Sequence, residues 1–259
     1  MLKLSIMSNI SKVFKTTKPL IAFIMAGYPS LNATEKLAIE IAKAGADILE
    51  IGIPFSDSVA DGPIIVDAAV RAIKNGTSAG SVFRAVKKIR QKTGIPIVFM
   101  TSYNILTSYG LKKFVDASYA AGVSGFIIPD LPLEESSQLA KLAQGKDIDL
   151  IFLLAPNSGQ SRIKAVSAAS TGFIYLMSIT GITGVRKSFS CSIKKTISNI
   201  RRFTNKPIAI GFGISNPAQA KEAAKIGDGV IVGSAIVKEA AKSIKGAAKL
   251  VKDLKKAIS

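Results

Sequence analysis

Eight short apolar stretches, each followed by an amphipathic helical one, leave this chain few folds to adopt. They are Leu20–Ala26, Ala46–Gly52, Ile97–Met100, Phe126–Ile128, Asp149–Leu154, Phe173–Met177, Pro207–Ile210 and Gly229–Val232. Continuously apolar runs, as opposed to alternating ones, belong to strands covered on both faces, as in parallel sheets. Helical patterns fill the intervals, and glycine closes several of them, such as Leu31–Ala44 before Gly45 and Leu111–Ala121 before Gly122. Further helices are expected over Gly62–Lys74, Ser78–Gln91, Glu134–Gln144, Gln160–Ala169, Ser192–Phe203 and Asn216–Lys225, and from Ser234 to Ile258. Ile10–Lys15 predicts a short extra helix at the N-terminus, with Ile10, Val13 and Phe14 on one face. Strands alternating with helices mean βαβ units, and eight units in 259 residues predict an α/β fold, a closed (β/α)8 TIM barrel. A doubly wound open sheet is the alternative. No linker or composition break interrupts the pattern, so residues 1–259 read as a single barrel domain.

Composition narrows the chemistry. The chain has no histidine, so Ser-His-Asp and Cys-His catalysis are excluded, and His-built metal sites with them. Acid/base work falls to Asp, Glu, Tyr or Lys. No metal is expected. The single cysteine, Cys191, rules out an internal disulfide and fits a reducing compartment, the cytoplasm or, for an organelle-encoded chain, the plastid stroma. Met1–Ile10 is too short for a secretory signal. No apolar run reaches the roughly 18 residues of a membrane span, which predicts no membrane association. The net charge of +18 comes from lysines and arginines at solvent-face helical spacing, as in Arg84–Lys92 and Lys238–Lys256. Without aromatic-interleaved basic motifs, it points away from nucleic acid and toward attraction of small anionic substrates.

Glu50 is the anomaly of the second apolar stretch. A carboxylate inside such a run must be paired, shifted in pKa or kept for chemistry. It stands near the carboxyl end of its strand, where barrels keep their active sites, and Asp57 and Asp61 follow before Gly62-Pro63 opens the next helix. A salt-bridged core acid or a strand-edge charge is the alternative. Late in the chain two glycine turns, Gly211-Phe212-Gly213 and Gly233-Ser234, end consecutive strands. Glycine lets backbone approach an anion closely, and a helix N-terminus beside it supplies N–H donors, so these turns predict a phosphate-ester site. The polar, glycine-containing stretch Ser178–Ser190 is a candidate lid.

These segments together resemble the tryptophan synthase alpha subunit family from about Ile10 to the final helix. The most specific part is Glu50-Ile51-Gly52-Ile53-Pro54-Phe55-Ser56-Asp57 with Ala60-Asp61-Gly62-Pro63. Pro129-Asp130-Leu131-Pro132, Gly181-Ile182-Thr183-Gly184, Gly211-Phe212-Gly213-Ile214 and Gly233-Ser234-Ala235 follow in the family's order. The resemblance implies a lyase of L-tryptophan biosynthesis that cleaves indole-3-glycerol phosphate to indole and glyceraldehyde 3-phosphate, with no cofactor of its own. It implies Glu50 and Asp61 as the catalytic acids. Phe23, Met100, Ile127, Leu153, Tyr175, Thr183 and Phe212 would bind the substrate, and Gly184, Gly213, Gly233 and Ser234 its phosphate. It implies a pyridoxal-phosphate beta subunit as partner in a hetero-tetramer of two alpha and two beta chains, met through the loops around Pro54–Ser58 and Asn104–Ser108. Family members commonly carry paired tyrosines where this chain has Ser102-Tyr103, and some carry a lid arginine where Ile179 stands. Two other readings stay open: a sugar-phosphate isomerase barrel, which needs acids on the first and fifth strands where Phe23 and Leu153 stand, and a barrel that only binds and activates a beta-type partner.

Overall fold

The computed structural model describes residues 9–57, 61–177, 186–211 and 213–259. Its strands are β1 (Leu20–Met25), β2 (Ile48–Gly52), β3 (Ile97–Met100), β4 (Gly125–Ile127), β5 (Asp149–Ile151), β6 (Leu153–Leu154), β7 (Ile174–Met177), β8 (Ile208–Gly211) and β9 (Gly229–Val232). They pair in parallel in the order β5-β4-β3-β2-β1-β9-β8-β7-β6. The expected strand Asp149–Leu154 is parted at Phe152 into β5, which pairs with β4, and β6, which pairs with β7. Both edges of the sheet therefore meet in one extended stretch, and the Tyr175 amide bonds the Phe152 carbonyl (3.1 Å) across the break. The sheet is a barrel, not an open doubly wound layer.

Twelve α-helices surround it among the described residues: α1 (Asn9–Thr16), α2 (Leu31–Lys43), α3 (Pro63–Lys74), α4 (Ala79–Arg90), α5 (Tyr103–Tyr109), α6 (Leu111–Ala121), α7 (Ser137–Gln144), α8 (Gln160–Ala169), α9 (Arg186–Arg201), α10 (Pro217–Ile226), α11 (Ser234–Lys242) and α12 (Ile244–Ile258). Five of the helix starts carry a side-chain cap, among them Ser30, which accepts from the Ala33 amide, Ser78 from Ser81 and Asn216 from Gln219. Four segments differ from expectation. The helix expected from Glu134 begins at Ser137, after a 3-10 turn over Leu133–Glu135 that the Ser136 hydroxyl closes on the Leu133 carbonyl (2.6 Å). The last helical region breaks at Ser243, whose side chain caps α12 through the Gly246 amide. The described part of α9 starts at Arg186, inside the stretch read as a lid. Asn104–Ser108, expected as a loop, lies in α5 because Ser102 and Asp130 satisfy its first amides.

Strand pleating sorts the side chains into two layers. Leu20, Ala22, Ile24, Leu49, Ile51 and Phe99 face the helices. Ile21, Phe23, Met25, Ile48, Val98, Met100, Ile127, Tyr175, Ala209 and Ile231 fill the barrel. Glu50 has the parity of Ile48, pairs in register with Phe23 and Val98, and is 1 % exposed. It therefore points into the barrel and is not a strand-edge charge.

The amino-terminal end of the barrel is closed. Ile10 of α1 is fully buried in the interior layer, and Phe14 packs on Phe173 with ring centroids 5.5 Å apart. Glycines at the starts of two strands make this possible: a Cβ on Gly125 would lie 2.9 Å from Ile10 Cδ1, and one on Gly229 2.8 Å from Phe14 Cε1. Burying Ile10 alone contributes about 2 kcal/mol.

Candidate active site

At the opposite end the strands stop where the sequence places its acids and glycines. Gly52 ends β2, and the ladder runs on past it, with Ala26 N–H bonding Gly52 O (2.9 Å) and Ile53 N–H bonding Met100 O (2.9 Å). Two glycines here make room for aromatic side chains. A Cβ on Gly52 would come within 2.7 Å of the Phe23 ring, and one on Gly211 within 2.7 Å of the Tyr175 ring. Both rings thus lie across neighbouring strands at the mouth, and a side chain at either glycine must push them aside.

The mouth holds two adjoining cavities. One, of about 110 Å³, is lined by Glu50, Asp61, Tyr175, Ile214, Ile231, Gly213, Gly233 and Ser234 together with Phe23 and Met100. The other, of about 160 Å³, lies over β1 to β4 and is lined by Gly52, Phe55, Asp57, Thr101, Ser102, Pro129 and Asp130. Phe23, Met100 and Asp61 belong to both. Asp61 is half-buried just before the Gly62-Pro63 start of α3. The two glycine turns face Glu50 and Asp61 across the first cavity, and Ser234 stands at the first position of α11, where helix amides are unpaired and suited to an anion.

Burial, then the negative charge of Asp61, raises the Glu50 pKa from 4.5 to about 8. Its Oε2 has no hydrogen-bond partner among the described residues, so no bond from them at that oxygen offsets desolvation of the ionised form. Near neutral pH Glu50 is a protonated acid that can give a proton and take one back. Tyr175, pushed well above its ordinary value by burial and then by Glu50 and Asp61, stays a neutral hydroxyl. Two carboxyl groups of different environment, one neutral and one charged, share one cavity.

This shift has a sign that stability measurements read directly. Between pH 4.5 and about 8 the folded chain keeps a proton on Glu50 that the unfolded chain has released. Stability is therefore lost as pH rises through that window, by a few kcal/mol in all, and levels off above it. Glu50→Gln removes the loss. It is expected to raise Tm at pH 9 by on the order of 5 °C and to leave it unchanged at pH 4.5, as read by thermal unfolding. Equal Tm values for the two proteins at pH 9 would show that the fold does not raise the Glu50 pKa.

The cavities gather most of the residues singled out from the sequence. Glu50, Asp61, Phe23, Met100, Tyr175, Gly213, Gly233 and Ser234 line one or both. Ile127 and Leu153 belong to the interior layer of the barrel and line neither. Thr183, Gly184 and Phe212 lie outside the described residues. Thr101, Pro129, Asp130, Ile214 and Ser215 line the cavities without having been singled out as site residues; each follows a strand end by one to four residues, and that placement was the available signal. Phe23 and Leu153 occupy β1 and β6, so the acid pair of an isomerase barrel is absent from those positions. Among the described residues no three His, Cys, Asp or Glu side chains come together as a metal site.

A sequence model described as Tryptophan synthase alpha chain matches residues 11–259. The chain belongs to that family. A tryptophan synthase alpha chain of Petrotoga mobilis is 40% identical over 250 residues, covering 96% of this chain and 97% of the relative. One from Dehalococcoides mccartyi is 45% identical over 231 residues, covering 89% and 91%. Among solved structures, tryptophan synthase from M. tuberculosis in its aminoacrylate-bound form superposes with a TM-score of 0.90 at 30% identity, covering 97% of this chain and 100% of that one. A protein from Aquifex aeolicus superposes with a TM-score of 0.90 at 38% identity, covering 97% and 99%.

Proposed function

We propose that Glu50 and Asp61 carry the lyase reaction of this family member, cleavage of indole-3-glycerol phosphate to indole and glyceraldehyde 3-phosphate in tryptophan biosynthesis. The supporting observation is a Glu50 kept protonated by burial beside charged Asp61, in one cavity with the two glycine turns. The bond to be broken joins indole C3 to the carbinol carbon of the glycerol chain, and a free C3 carbanion is a poor leaving group. Glu50 donates its proton to C3, and the ring nitrogen takes up positive charge. Asp61 accepts a hydrogen bond from the ring N–H and stabilises that charge as it develops. Ionised Glu50 then removes the proton of the adjacent hydroxyl. The C–O bond becomes a carbonyl, the C–C bond breaks, and its electron pair neutralises the ring. Glu50 ends protonated, as it began, and the proton given to C3 remains as the C–H of indole.

The protonated ring is itself the electron sink, so the scheme asks for no metal or organic cofactor. Gly213, Gly233 and Ser234 hold the phosphate, joined by Gly184 in the reading from family resemblance. Phe23, Met100 and Tyr175 wall the ring. The strongly positive chain draws the anionic ester to the mouth. The partner in this reading is a beta subunit carrying pyridoxal phosphate, in a tetramer of two alpha and two beta chains. It docks over the barrel mouth, in the cytoplasm or a plastid stroma. The match to tryptophan synthase from M. tuberculosis supports a beta-subunit partner, and no helix among the described residues is long and apolar enough to cross a membrane.

Indole release from indole-3-glycerol phosphate by the purified chain, with and without a beta subunit, tests the reading. Slow release alone and faster release in the complex are expected. No release under either condition overturns it.

A further inference from the structure

The mouth has two lobes, and only one is accounted for by phosphate and proton transfer. If the phosphate sits at Gly213, Gly233 and Ser234, as the function proposed above requires, the indole ring extends into the lobe over β1 to β4. The near wall of that lobe is apolar, at Phe23 and Met100, but its far end carries Ser102 and Asp130. The Ser102 hydroxyl donates to Asp130 Oδ2 (2.5 Å) and accepts from the Asn104 amide (3.2 Å), while the Tyr103 amide donates to Asp130 Oδ1 (2.9 Å). Both side chains are fixed by the start of α5, yet neither is saturated. A carboxylate offers about four lone-pair positions and a serine oxygen two. Asp130 is also exposed, so water satisfies it when nothing else does.

We infer that Ser102 and Asp130 set substrate specificity, so that the chain accepts indole glycerol phosphates bearing a hydrogen-bond donor, a hydroxyl or amino group, on the benzo ring. A ring hydroxyl reaching this end replaces the water on the carboxylate bond for bond. A methyl group of the same size displaces that water and returns nothing, which a polar site penalises far more than the lack of a substituent. An unsubstituted ring leaves the water in place. The small side chain at position 102 provides the room.

The test compares kcat/KM of the purified chain for indole-3-glycerol phosphate, its benzo-ring hydroxyl isomers and the methyl analogue of each. At one ring position or more, the hydroxyl substrate should lie within threefold of the unsubstituted one and exceed its methyl counterpart at least tenfold. Ser102→Tyr, which fills the end of the lobe, should bring that hydroxyl-to-methyl ratio below threefold. Asp130→Asn, which keeps a carbonyl oxygen for the Tyr103 amide but loses the charged acceptor, should reduce it as well. Equal use of hydroxyl and methyl substrates at every position overturns the inference, as does an unchanged ratio in both variants. Cleavage of the unsubstituted substrate without hydroxyl preference removes this inference alone. Failure to cleave it removes the proposed function and this inference together.

Discussion

Glu50→Gln is expected to lower kcat for indole release by on the order of 10⁴, the upper end of what a single general acid/base supplies, because one group both donates and accepts in the same turnover. Glutamine preserves size and fits the buried position, so the fold survives. The phosphate turns are untouched, and the dissociation constant of glycerol 3-phosphate should stay within threefold. The alkaline limb carries independent information. In the wild-type chain kcat/KM should fall tenfold per pH unit above about 8, where the starting acid is lost. Turnover by the variant within tenfold of wild type removes Glu50 from the chemistry. A wild-type profile that breaks near 4.5 contradicts a buried, protonated starting state.

Asp61→Asn comes second in size. The carboxylate faces charge that appears only as the ring is protonated, so its loss should act on the transition state more than on the ground state. A decrease of about 10² to 10³ in kcat is expected, with KM changed little. The variant also reports on Glu50. Asp61 is the second cause of the raised Glu50 pKa, after burial, and removing its charge should move the alkaline limb of kcat/KM to lower pH. The shift of that limb reports the Asp61 charge beside Glu50, and the fall in kcat at little-changed KM reports its part in the chemistry. An Asp61→Asn chain retaining more than a third of wild-type kcat, or with its alkaline limb unmoved, sinks the assignment.

The barrel was legible because its strands are covered on both faces. Leu20–Met25 is buried at every residue, and that demand produces an uninterrupted apolar run. Glu50 was legible for the same reason, as the charge in the middle of such a run, where its parity with the apolar Ile48 fixes which way it faces. Short polar segments were harder. α5 has a single buried residue, Leu106, and stands on bonds from Asp130, distant in the chain and brought near only by the pairing of β3 with β4. The break of the last helix at Ser243 depends on one capping hydroxyl inside a pattern that is helical on both sides. Side chains beyond strand ends, such as Thr101 and Asp130, became part of the mouth through the stagger of neighbouring strands. No local periodicity encodes that.

Because α1 seals the base with Ile10 and Phe14, the barrel is a blind vessel. Reactant and products pass through the mouth, the end opposite this seal, and among the described residues the interior is shielded from solvent at the base. Indole, small and uncharged, is therefore discharged toward whatever body rests on that opening. A protein seated there takes delivery of it without any tunnel through the barrel itself.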